Sequence, residues 1–498
     1  MTSTPSGSRN TPAQSSTAGS GTTPEAVADA ATPHVTSHLG TSMKARHLVM
    51  MSLGSAIGAG LFIGSGAGIA AAGPAVLLSY VIAGLVVIIM MRALGEMVAA
   101  APASGAFSVY AERALGPAAG FTVGWLWWIQ LCLVIAAEAT ASAQLLVGLW
   151  PVVPQWVLAL VFMVVFTAIN LMGVGKFGEF EFWFSMLKVG AVVAFLIVGV
   201  VFLFGGTPAD PPGFSNLTEH GGFFPMGIAG VAAGLLVVAF AFGGIEIVAV
   251  AAAETSDPAR NVSRAIRTIV WRILLFYMGS VALMVIALPW NSESLGASPF
   301  VATLDAAGLP GLGAVLGIVI VIALLSSLNA NLYGASRMVF SLSERGLAPR
   351  ALHQVNKRRV PVAAVMASTA FGFLCVGLNY LWAEAILGIL LNIVGSTLIV
   401  TWLATLISHL ILRRRAHRNG EPWPYATRLF PWSNVVALVV VAAIVGLGLT
   451  VPEVRFQIVA TTALVVALMV IGTVIARRHG GKRLMEAHTG SQARTPAP

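Results

Sequence analysis

Met51–Pro74 reads MSLGSAIGAGLFIGSGAGIAAAGP, and the fold turns on how this stretch is read. It is apolar and long enough to cross a bilayer, which takes about 20 such residues. It also carries Gly54, Gly58, Gly60, Gly64, Gly66 and Gly68. Each glycine inside a helix costs about 1 kcal/mol relative to alanine. A simple anchor has no use for that cost. Two readings follow. The spacings Gly54-xxx-Gly58 and Gly60-xxx-Gly64 fit closely packed membrane helices. Alternatively, the helix is broken near Gly58-Ala59-Gly60 and its freed backbone binds a ligand.

A second apolar segment favours the break. Ala239–Val250 reads AFAFGGIEIVAV, with Gly243-Gly244 in mid-span and Glu246 two residues on. Glycine-interrupted segments at corresponding places in two halves mark an inverted-repeat transporter. A broken helix offers amide N–H groups at the start of its second half, which attract a carboxylate. Carbonyls at the end of its first half accept from an ammonium. Two breaks facing each other would therefore hold a zwitterion without charged side chains.

Composition agrees with a membrane setting. Of 498 residues, 57% are hydrophobic and 9% charged, against about 25% charged in soluble proteins. About twelve spans are expected: 50–70, 75–99, 121–148, 156–174, 184–205, 227–252, 268–289, 311–340, 361–380, 385–411, 433–451 and 456–476. With the N-terminus inside, the inner loops carry Arg113, Lys176, Arg260, Arg264, Arg267, Arg345, Arg350, Lys357–Arg359, Arg413–Arg415, Arg418 and Arg428. The outer loops carry only Arg455, and the long loops at 206–226 and 290–310 hold no Lys or Arg. The positive-inside rule then puts both termini in the cytoplasm. It also accounts for the net charge of +9 without nucleic acid. Residues 1–42, rich in Ser, Thr, Pro, Gly and Ala, read as a disordered tail, and 479–498 as a second cytoplasmic tail. Cys132 and Cys375 sit in apolar runs and read as packing residues. No Cys/His cluster has metal-ligand spacing, and Gly173-Val174-Gly175-Lys176 lacks the spacing of a P-loop.

Intramembrane ionisable groups are expensive and read as functional by default. Lys188 lies in the fifth span, Glu138 in the third and Glu246 in the sixth. All three are read as proton-coupling candidates. The rival role for Lys188 is snorkelling, for Glu246 tying the unwound segment, and for Glu138 partnering a polar group on another span. Gln130, eight residues before Glu138, shares its helical face and is a candidate contact for a substrate side chain. Asn329 and Asn331 read as interhelical glue. Glu96, Glu254, Asp257, Arg264 and Arg337 read as ion pairs near the inner ends.

Several motifs occur in order: IGAGLF in the first span, RALGEM (Arg92–Met97), PASGAFSVYAERALGP (Pro102–Pro117), FGEFEFWFSMLKV (Phe177–Val189), FAFGGIE (Phe240–Glu246), AAAETSDPARNVSRAI (Ala251–Ile266) and LSSLNANLYGASRMVFSLSERGLAP (Leu325–Pro349). Together they resemble bacterial amino acid permeases of the amino acid–polyamine–organocation superfamily, in its proton-coupled branch. The likeness runs from about Met43 to Arg478 and looks closest to actinobacterial aromatic amino acid and GABA permeases. It implies an all-α membrane protein with a LeuT-like 5+5 inverted repeat and discontinuous helices 1 and 6. The permease domain would span 43–478, with repeats at 50–205 and 227–411 and two added helices at 433–476. The resemblance assigns the substrate carboxylate to amides around Gly58, Ala59, Gly60 and Leu61. It assigns the α-amino group to carbonyls near Ala56, Phe240 and Gly243. Phe240 and Phe242 would form an aromatic gate, and Lys188 would take the place of a sodium ion. Relatives often carry Ser or Thr where Ala59 stands, so one hydroxyl is lost here.

The implied function is proton-driven import of an amino acid across a bacterial plasma membrane, with aromatic side chains favoured. The alternatives are an exchanger on the same fold, or a permease for GABA, proline or small neutral D- and L-amino acids. A non-transporting nutrient sensor is more remote. No catalytic cluster points to an enzyme. No cofactor beyond the proton gradient, no nucleotide and no nucleic acid is expected; the partners are the amino acid, the proton and the bilayer.

Overall fold

The computed structural model describes residues 57–103, 105–172, 177–246, 274–296, 298–383, 386–423 and 425–492. The expected tail at 1–42, the start of the first span with Ala56, and Glu254, Asp257 and Arg264 lie outside the described residues.

Every regular element among the described residues is helical. The chain runs α1 (Ala59–Phe62), α2 (Gly64–Ala72), α3 (Val76–Ala100), α4 (Ala106–Leu115), α5 (Pro117–Leu149), α6 (Gln155–Met172), α7 (Phe177–Leu203) and α8 (Gly227–Ala241). It continues through α9 (Leu274–Ala287). Then come α10 (Pro299–Ala306), α11 (Pro310–Glu344), α12 (Val362–Leu381), α13 (Ile386–Asn419), α14 (Trp432–Gly448) and α15 (Pro452–Gln492). Among the described residues, eight helical stretches are long and apolar enough to cross a membrane, with Gly64–Ala100 counted as one. Three more apolar helices, α8, α9 and α14, are shorter.

The sequence explains the boundaries. Gly73 adopts φ +63, where an added Cβ would also strike Pro225, so only glycine turns the chain between α2 and α3. Pro117 and Pro310 open α5 and α11 at a first-turn position, where the missing N–H leaves no helical bond unmade. At 35 residues, α11 is roughly 50 Å long. That exceeds a hydrocarbon core of about 30 Å, so its ends protrude. Two short helices fall in stretches read from sequence as loops. α4 packs on α5 and α13, and α10 packs on α7 and α11. Both are too short to register in a search for 20-residue apolar runs.

Burial separates an inner bundle from an outer shell. The apolar window of α5 is 78% buried, whereas those of α6 and α15 are 17% buried. α5 makes its most extensive contact with α11, and α2 packs along α8. The apolar outer faces of α6, α7 and α15 have lipid as their natural solvent.

One polar clamp joins the ends of three elements. Glu96 of α3 is buried and accepts from His409 Nε2, Arg413 Nη1 and Trp423 Nε1, each at 2.9 Å. It also accepts from the Thr427 amide at 2.7 Å and from the Thr427 hydroxyl. Asn434 of α14 closes the far side of the His409 ring at 3.0 Å. Removing one partner of a buried ion pair costs about 3–5 kcal/mol. Glu96→Ala is therefore expected to lower the melting temperature of the purified protein clearly, measured by thermal unfolding in detergent. An unchanged melting temperature would show that the clamp contributes nothing.

Candidate functional site

The first-span break is built from backbone. Gly58 is extended at φ −142, ψ −153 and caps α1, which ends after four residues. Ile63, at φ −126, ψ −46, separates α1 from α2. The leading amide of this break is engaged: Ala59 N–H donates to both carboxylate oxygens of Glu138 on α5, at 3.1 Å each. Ser327 of α11 also donates to that carboxylate. A side chain at Gly58 would collide with Glu138 and come within 2.6 Å of Ser327 Oγ. Only glycine lets the carboxylate approach so closely.

Gly60 marks where the two interrupted segments meet. A Cβ there would lie 3.0 Å from Ala241 N and Phe240 O, and closer still to Ala241 Cα. α1 thus crosses the end of α8 backbone to backbone. Leu61 is fully buried beside this crossing.

α8 ends at Ala241, and the chain turns through Gly244 at φ +98. Glu246 folds back on that turn. Its Oε2 accepts from Gly244 N–H at 2.8 Å, and its Oε1 accepts from Trp402 Nε1 of α13 at 3.1 Å. Glu246 therefore ties the unwound segment to α13. The Phe240 carbonyl accepts from Gly243 N–H at 2.9 Å, and Gly243 itself faces Leu398. The two aromatic residues part company here. The Phe240 ring lies beside Gly64, at the α1–α2 interruption. Phe242 instead stacks on Tyr277 at 5.1 Å and meets Tyr80 edge-on at 6.0 Å. The Tyr277 hydroxyl donates to the Ala241 carbonyl at 2.7 Å.

α7 supplies the charges. Lys188 is fully buried, with Nζ 3.9 Å from Glu181 Oε1. Ser326 of α11 donates to Glu181 at 3.0 and 3.1 Å. Lys188 is within electrostatic reach of both Glu181 and Glu138. Lys188 thus shares its buried surroundings with two carboxylates, one of which holds the Ala59 amide. Sequence reasoning missed Glu181, although it lies in the quoted Phe177–Val189 motif. Its position seven residues before Lys188 puts the two on one helical face, two turns apart. That spacing was the available signal. Ser326 and Ser327 carried no such signal, because serine is common in membrane helices.

The remaining residues fall outside this cluster. Gln130 is buried on α5 and faces Thr401 of α13 at 3.5 Å. Asn329 accepts from Asn170 at 2.8 Å and so joins α11 to α6. Arg337 lies 3.8 Å over the Tyr333 ring. Among the described residues no group of His, Cys, Asp and Glu is arranged to hold a metal ion.

Comparison with known proteins gives a consistent picture. Residues 47–484 match the family model described as amino acid permease. The chain is 47% identical over 416 residues to an aromatic amino acid transport protein of Corynebacterium glutamicum, covering 82% of this chain and 90% of that one. It is 42% identical over 444 residues to the gamma-aminobutyric acid permease of Bacillus subtilis, covering 89% and 94%. An aromatic amino acid transport protein of Escherichia coli is 39% identical over 416 residues, covering 84% and 91%. Among solved structures, a manganese transporter mutant of Eremococcus coleocola shares the fold at a TM-score of 0.54 and 15% identity, over 86% of this chain and 95% of that one.

The backbone crossing at Gly60 is open to test. Overpacking a tight contact costs about 1–3 kcal/mol. Gly60→Val is expected to lower the melting temperature, whereas Gly190→Ala, where an added Cβ meets nothing within 4 Å, is not. Equal melting temperatures for the two variants would contradict the close approach of α1 and α8.

Proposed function

The chain belongs to the amino acid permease family, and from that premise we propose that it imports an aromatic amino acid together with a proton. It is a multi-pass membrane protein that transports amino acids; the family speaks for a transporter rather than an enzyme. The finer architecture of this reading is twelve spans in a LeuT-like 5+5 inverted repeat, with the first and sixth spans discontinuous. Repeat one is 50–205, repeat two 227–411, and the helices at 433–476 are added. The tails at 1–42 and 479–498 face the cytoplasm of a bacterial cell, and the domain lies in its plasma membrane. The one-sided distribution of Lys and Arg supports that orientation. The aromatic choice is supported by the names of the relatives at 47% and 39% identity.

The observation that carries the coupling is the hydrogen bonding of Ala59 N–H to the Glu138 carboxylate. A charged acceptor holds an amide more strongly than a neutral one. Ionised Glu138 therefore keeps the amide occupied. Protonated Glu138 releases it to the carboxylate of an incoming amino acid, at the Gly58–Leu61 turn where the Leu61 amide stays on the Gly58 carbonyl at 3.1 Å. The charge facing Lys188 is then unchanged: one carboxylate has been neutralised and another has arrived. Proton and substrate enter as a pair because either alone leaves the buried ammonium wrongly balanced. Carbonyls near Ala56, Phe240 and Gly243 take the substrate ammonium. Phe240 covers the break, Gln130 reaches the side chain, and Glu246 holds the second break in shape, while Lys188 and Glu181 set the field in which Glu138 titrates. The reaction needs no cofactor beyond the proton gradient.

Two experiments test this. In proteoliposomes with an acidic exterior and no internal substrate, the wild type is expected to accumulate labelled phenylalanine, and Lys188→Ala to lose at least tenfold of that uptake. Uptake only after preloading the lumen would establish the exchanger instead. Glu138→Gln mimics the protonated acid and is expected to bind substrate with an affinity that no longer changes with pH. Wild-type affinity should rise as pH falls. A Glu138→Gln variant with the wild-type pH dependence would remove Glu138 from coupling.

A further inference from the structure

A cavity of about 400 Å³ lies beside Ile63, at the α1–α2 interruption. Its floor includes Ile63, the residue between α1 and α2. Gln144, Leu145, Gly148 and Leu149 from the end of α5 form one wall, and α10 with the segment before it forms the other. The volume falls within the roughly 300–1,000 Å³ of small-molecule sites.

Its polar groups are few and of one kind. Asp305 of α10 lines the cavity and has no ion-pair partner among the described residues. Gln144 Oε1 is buried with no hydrogen-bond donor. A buried acceptor left unsatisfied costs about 1–3 kcal/mol, which an occupant bearing N–H groups would offset. The long loops on this side, 206–226 and 290–310, contain no Lys or Arg to serve as that donor. Leu145, Leu149, Leu288 and Val301 make the rest of the lining apolar. Ser294, paired with Ser292 at 2.7 Å, and Ser298, which donates to the Phe62 carbonyl, complete the rim. An anionic acceptor and a neutral acceptor above an apolar wall suit the ammonium and the apolar side chain of one molecule.

We propose that this cavity is an outer binding station for an amino acid with an apolar or aromatic side chain, its ammonium held between Asp305 and Gln144 Oε1. The station is separate from the backbone site at Gly58–Leu61 and fills before it. It is mechanically joined to that site, because Ser298, which caps α10, donates to the Phe62 carbonyl of α1 at 3.4 Å. The assignment rests on the reading of the chain as an amino acid importer.

Equilibrium binding of labelled phenylalanine to the full-length protein in nanodiscs tests it, with proteoliposome uptake run in parallel. The wild type is expected to bind two molecules per chain. Asp305→Asn and Gly148→Trp are each expected to bind one, at the deeper site. Asp305 is solvent-exposed and a side chain at Gly148 meets nothing within 4 Å, so both variants should fold, and the retained molecule reports that they have. A wild type that binds one molecule or none, or variants that keep two, would overturn the outer station. Two bound molecules lost to one in the variants, with no uptake by the wild type, would support the station and sink the importer reading alone.

Discussion

A carboxylate with no access to water must find donors, and Glu138 finds one of its own in the polypeptide backbone. Its two oxygens face the Ala59 amide, and Ser327 adds a hydroxyl. The local structure follows from this need. The amide is available because it opens α1, with the extended Gly58 before it. The carboxylate can approach only because Gly58 has no side chain. Lys188 offsets the charge from α7, and it needs the second carboxylate, Glu181, as its near partner at 3.9 Å. Isolated, each of these groups would be prohibitively expensive inside a membrane protein; together they are tolerable. The cluster joins α1, α5, α7 and α11, four elements far apart in sequence.

The second break is held by a different device. Glu246 spends both of its oxygens on structure, one on the Gly244 amide within its own turn and one on Trp402 of α13. A carboxylate engaged in this way keeps the turn open and the α8 terminus in place against Gly60. The aromatic residues divide similarly. Phe242 is committed to a stack with Tyr277 and Tyr80, which leaves Phe240 as the ring beside the first break.

Much of this was legible in the sequence, and the gaps have physical causes. The glycine pattern of Met51–Pro74 and the Gly243-Gly244 pair point to interrupted helices, because glycine in an apolar span has a cost that packing or function must justify. Lys188, Glu138 and Glu246 stand out for the same reason. What sequence does not encode locally is which buried group faces which. Glu138 and Ala59 are 79 residues apart, and no spacing rule links them. Glu246 reads equally well as a titrating group or a turn lock, and its partner Trp402 lies 156 residues away. Glu181 was visible but overlooked, since FGEFEF looks like the polar start of a span rather than its functional face. The short helices α4 and α10 escaped because they are partly polar and brief, and the cavity beneath α10 exists only once α5 and α10 are brought together.

In the proposed mechanism substrate and proton meet at Glu138, one taking the Ala59 amide as the other neutralises the side chain. Infrared difference spectroscopy on membranes containing the protein, with and without saturating phenylalanine, reads this directly. A new carbonyl-stretch band of a protonated carboxyl should appear on substrate addition in the wild type and be missing in Glu138→Gln. No such band at saturation, or the same band in the variant, would contradict the account.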